Sequence, residues 1–177
     1  MTRPPFDAPS PEDIATVSRQ LGRPARDVVG IAARCVCGAP TVVSTRPRLS
    51  DGTPFPTFYY LTHPAATAAV STLEAEGQMP GFAALLVGDV ADQYRAAHEQ
   101  YIADRESIAV VDEVAGISAG GMPDRVKCLH ALVGHALAAG PGVNPIGDLA
   151  LERSAWSPLV CECVPDVSTV STSAEAS

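Results

Sequence analysis

The chain has 177 residues, with 12 Lys and Arg against 20 Asp and Glu and a formal net charge of −8. That balance argues against a protein that coats duplex nucleic acid, because neutralising phosphates takes a broad basic surface. Hydrophobic residues make up 46% and charged residues 18%, so the chain can bury a core, and no apolar run approaches the roughly 20 residues of a bilayer span.

Residues 1–10, rich in proline, read as an extended lead-in. Ser10-Pro11-Glu12-Asp13 then reads as a helix start, since serine can cap free amides, proline suits the first turn, and the acids complement the dipole. Ile14, Val17 and Leu21 give a short apolar stripe that Gly22 ends. Residues 28–35 and 41–45 are β-branched or small, with Cys37-Gly38-Ala39-Pro40 between them, which predicts a hairpin. Asp51-Gly52-Thr53-Pro54 is a second turn, and Phe58-Tyr59-Tyr60-Leu61 follows as a third strand. Helices are expected over Ala65 to Glu76, Asp89 to Ile108 and Asp124 to Ala139, with Phe82 to Val87 as a turn or the first part of the second. Asn144-Pro145 opens a last short helix towards Trp156. Strands grouped early and helices following predict an α+β domain over residues 11–156, a small antiparallel sheet of about three strands packed by helices. Residues 157–177 read as a mobile tail, being small and polar towards the end.

Five cysteines, with no apolar export signal after Met1-Thr2-Arg3-Pro4-Pro5, point to the cytoplasm and to thiol or metal chemistry rather than a disulfide framework. Cys35, His63, Cys128 and His135, with Cys37 as a substitute, are the soft donors that zinc takes. The competing reading is packed core cysteines and satisfied structural histidines. On one continuous helix Cys128 and His135, seven apart, share a side, while His130 lies about 160° from Cys128. A thiol nucleophile at Cys128 would need His130 or His135 as base, and seven helical residues leave about 10 Å between Cys128 and His135. Cys161-Glu162-Cys163 can join a metal site or oxidise to a disulfide, but its place near the tail favours an incidental pair.

The other polar stretch runs from Ser118 to His130. Gly120 and Gly121 precede the expected helix, whose amides can receive an anion, and Arg125 and Lys127 add positive charge. Lys127 is the only lysine beside eleven arginines. The spacing is not that of a triphosphate-binding loop, and an ordinary turn is the simpler reading of two glycines.

Arg34-Cys35 with Gly38 and Pro40, Pro47-Arg48-Leu49, the run from Asp51 to Thr57, Tyr60-Leu61-Thr62, Val126-Lys127-Cys128-Leu129-His130 and Asn144-Pro145 resemble the domain-of-unknown-function 501 family of bacterial proteins. The resemblance covers about residues 25 to 156, with the Val-Lys-Cys-Leu-His string its most specific element. It implies genes near those of the septum formation initiator type and no established activity. It also implies that cysteine is common at the position of His63, so histidine there keeps a metal ligand while removing a thiol. Two functions are therefore expected: a Cys/His metal site beside an anion-binding helix start, or a non-catalytic module working with a cell-division protein.

Overall fold

A computed structural model of the chain describes residues 6–163. Residues 1–5 of the expected lead-in and 164–177 of the expected tail lie outside the described residues.

Helix α1 spans Pro11–Leu21. It starts at a reciprocal cap in which Asp13 N–H donates to Ser10 Oγ at 3.1 Å and Ser10 N–H donates to the Asp13 carboxylate at 3.0 Å. The same carboxylate receives the Arg34 guanidinium at 2.7 and 3.1 Å, tying α1 to the first strand. Strands β1 (Val28–Arg34), β2 (Pro40–Thr45) and β3 (Tyr59–Leu61) form an antiparallel sheet in that order. Asp7 extends the outer edge of β1 through paired backbone bonds with Ile31 at 3.0 and 2.9 Å.

Every residue of the central strand β2 is buried, because both faces of the sheet are covered. Side chains alternate across a strand, so Val43 joins Val17 and Ile31 under α1, while Val42 joins the main core. That core is closed by α2 (Pro64–Ala75), α3 (Met79–Ala83), α4 (Gly88–Glu106), α5 (Leu129–Ala139) and α6 (Pro145–Arg153). The molecule is thus an α+β protein. Helix α5 is apolar almost all round and runs through the middle. Gly147 lets α6 lie against it, since a Cβ there would stand 2.2 Å from the Leu132 carbonyl oxygen. Buried Arg105 on α4 fixes the following loop by donating to the carbonyls of Ile117 and Val114.

One expected boundary is displaced. The periodicity predicts a helix from Asp124, whereas α5 begins at Leu129. A helix from Asp124 would pair Leu129 N–H with Arg125 O. Instead Leu129 N–H donates to Glu74 Oε1 at 2.7 Å, and Arg125 O receives the Tyr94 hydroxyl at 3.0 Å. Both groups of that first turn are taken by neighbouring helices. Lys127 and Cys128 turn back instead, donating their N–H groups to Gly120 O.

Candidate metal centre

The hairpin turn sets the first two sulfurs. Cys35 follows β1, and its N–H donates to Ala39 O at 2.8 Å, while Gly38, at φ 90°, closes the turn by donating to Cys35 O. Val36 N–H reaches across to Pro158 O at 3.0 Å, which lays the chain after Trp156 along the hairpin end. Cys161 and Cys163 arrive there. The Sγ atoms of Cys35, Cys37, Cys161 and Cys163 all lie within 4.8 Å of one another.

Cys37 Sγ and Cys163 Sγ stand 3.3 Å apart. A disulfide holds sulfurs at about 2.05 Å, whereas four Zn–S bonds of about 2.3 Å in a tetrahedron separate them by about 3.8 Å. The two sulfurs are therefore not bonded to each other, and the four together could hold a metal ion. Cys35 is buried, Cys163 half-buried, and Cys37 and Cys161 exposed. The Ala39 N–H, and after it the Cys163 side chain, bring the Cys37 thiol down to about 7. Burial pushes the Cys35 and Cys163 thiols up. A cation would relieve that burial cost for the sulfurs, because bound ligands must be deprotonated.

His63 closes the inner side. It caps α2, with Nδ1 accepting Ala66 N–H at 3.4 Å, so Nε2 carries the proton in the neutral ring and faces Cys163 Sγ at 3.3 Å. In this posture the ring can donate to the sulfur and fix its direction, the support a metal ligand would need. The Trp156 ring lies 5.3 Å from the imidazole.

The four residues expected to share an ion occupy three places rather than one. Cys35 and His63 adjoin the sulfur cluster. Cys128 stands with Glu74 and His130, their ligand atoms within 4.8 Å of one another. His135 is fully buried between Tyr59, stacked at 5.7 Å, and Tyr101, edge-on at 5.2 Å. Its Nδ1 faces Asn144 Nδ2 at 3.2 Å, its Nε2 has no hydrogen-bond partner among the described residues, and burial lowers it to about 4.

The angular separation of Cys128 and His130 also needs correction. Cys128 precedes α5 at φ −150° and is not on the helical wheel, so its thiol can meet His130. Hydrogen bonding with His130 lowers the Cys128 thiol, and the same contact, with Glu74 adding to it, raises His130.

Gly120 and Gly121 have positive φ and close approach to Leu132 and to the Arg125 carbonyl, and they shape the turn before α5. The first α5 amide is already held by Glu74, while Arg125 and Lys127 are exposed. Cys161 and Cys163, read from the sequence as incidental, lie in the cluster. The signal that marks them is the repeated Cys-x-Cys spacing, in a segment with no periodicity to announce its fold.

A family model described as a protein of unknown function (DUF501) matches residues 31–152. That span includes Cys35, Cys37, His63, Glu74, Cys128 and His130 and stops before Cys161. No curated protein and no solved structure matches the chain.

Proposed function

The chain belongs to the family of proteins of unknown function (DUF501), so its role has to be read from its own groups, and we propose that it is a metalloprotein whose four-cysteine site holds zinc. The observation that carries this is the approach of four sulfurs, contributed by residues more than a hundred positions apart, to within 4.8 Å of one another. Four thiolates complete a tetrahedron and leave no open position, which is the pattern of a structural ion rather than a catalytic one. The ion would fasten residues 158–163 to the hairpin, and with them Trp156 over His63. Sulfur tetrahedra select zinc or iron among common metals. A regulatory role beside cell-division proteins is supported by the family resemblance alone.

The test is elemental analysis of the purified full chain against a Cys37→Ser/Cys163→Ser variant. The variant is expected to carry one zinc equivalent fewer than the wild type. Equal metal content in the two proteins overturns the reading, and iron in place of zinc changes the metal while keeping the site.

A further inference from the structure

We propose a second metal site, separate from the four cysteines, in which Glu74, Cys128 and His130 hold a zinc-class divalent ion with one coordination position open. The ligands come from α2, from the residue that precedes α5 and from the first turn of α5, and two of them belong to the Val126-Lys127-Cys128-Leu129-His130 string that the four-cysteine site does not use.

Donor and acceptor bookkeeping around His130 points there. Nε2 lies 3.2 Å from Thr67 O, which can only accept, and 3.1 Å from Ser71 Oγ. Nε2 therefore carries hydrogen, and in the neutral ring Nδ1 presents a lone pair. That lone pair faces Glu74 Oε1 at 3.3 Å. A carboxylate oxygen is also an acceptor, so something positive has to lie between them. A proton on Nδ1 would draw the pair to about 2.7–2.9 Å, as charge-assisted bonds do. An ion about 2.0 Å from each atom, at a tetrahedral angle, holds them about 3.3 Å apart. The observed separation fits the ion.

The surroundings fit as well. Cys128 Sγ supplies the third donor. Thr67 O fixes the histidine tautomer and Leu129 N–H, at 2.7 Å, fixes the carboxylate, the supporting contacts that metal ligands need. All three residues are half-buried, so solvent can reach the group and a water can supply the fourth ligand. Three protein ligands with a free position is the arrangement zinc adopts where water or another small donor completes the shell. The site differs in this respect from the closed sulfur tetrahedron.

The experiment is zinc titration of chelator-treated full-length protein, with metal counted by elemental analysis. Wild type is expected to bind two equivalents, and His130→Gln and Glu74→Gln one each. Glu74→Gln keeps an oxygen for Leu129 N–H, so the start of α5 is preserved. Cys163→Ser should lose the other equivalent, and in that background one added equivalent of zinc should slow alkylation of Cys128 by iodoacetamide at least tenfold, read by peptide mapping. Unchanged zinc content in His130→Gln overturns the site. So does Cys128 alkylation that is equally fast with and without zinc, which would make the group a thiolate–imidazolium pair. Loss of one equivalent in His130→Gln, together with no loss in Cys163→Ser, would support this site and overturn the four-cysteine one.

Discussion

His63 and His135 are both completely buried, yet their outward nitrogens meet different surroundings. His63 sets Nε2 3.3 Å from a cysteine sulfur at the rim of the core. His135 is enclosed by Tyr59 and Tyr101 in the middle of it, with Nε2 unpartnered among the described residues. Burial lowers the protonation of both rings. The difference teaches that enclosure alone makes a histidine neutral, and that chemistry depends on which atoms the enclosure brings to its free edge.

Four measurements test this contrast. The largest effect is expected at the sulfur cluster. An ion present at about a thousandfold its dissociation constant adds about 4 kcal/mol, and a chain of this size shifts by about 2–4 °C per kcal/mol. In His130→Gln, where the sulfur-cluster ion alone remains, chelation should therefore lower the thermal midpoint by about 8–16 °C in calorimetry, with a much smaller drop once Cys163→Ser is added. A midpoint indifferent to chelator would make the two histidines alike.

The next effect belongs to His135. Its folded value of about 4 lies below the ordinary 6.5, so the unfolded chain binds more protons between those limits. Stability then rises with pH in that window and is lost as pH falls from about 6.5 to 4, by about 3 kcal/mol in all. Denaturant titrations at pH 7 and 4.5 should show His135→Phe with a flatter acid limb. An unchanged limb would remove the aromatic cage as the cause.

Tyr101 sharpens the same side of the contrast. Its hydroxyl oxygen accepts Phe58 N–H at 2.6 Å and Tyr59 N–H at 3.3 Å. Tyr101→Phe leaves two buried amides without that acceptor and should cost about 2 kcal/mol in urea unfolding, with zinc content unaffected. The smallest effect is a baseline far from either ring: Ser10→Ala removes the α1 cap and should cost about 1 kcal/mol by the same measurement. A larger loss there would show that α1 and the hairpin it touches through Arg34 are coupled.

The sequence announces features that are local. Ser10 with Asp13 and Gly22 marks α1, and Gly38 with Pro40 marks the hairpin, because capping and turn chemistry act within a few residues. Helix α4 is legible from Val90, Tyr94, Ala97 and Tyr101, which repeat at helical spacing. The start of α5 is not, since it depends on Glu74 and Tyr94 reaching across from other helices. The same limit governs the sites. Cys35 and His63 could be singled out by residue type, but their sulfur partners come from a segment whose position is set by one backbone bond, Val36 N–H to Pro158 O. An ideal helix from Asp124 separates Cys128 from His130, whereas α5 begins one residue after the cysteine and leaves it free to turn towards the histidine.

Trp156 is the chain's sole indole, almost fully enclosed and seated 5.3 Å from His63 just before the segment that brings in the last two cysteines. Its fluorescence is therefore a built-in optical gauge of that corner of the molecule. Release of the strap from the hairpin would wet the indole and move its emission to longer wavelength, so docking of this one segment can be followed in unlabelled protein while the rest of the fold stays silent.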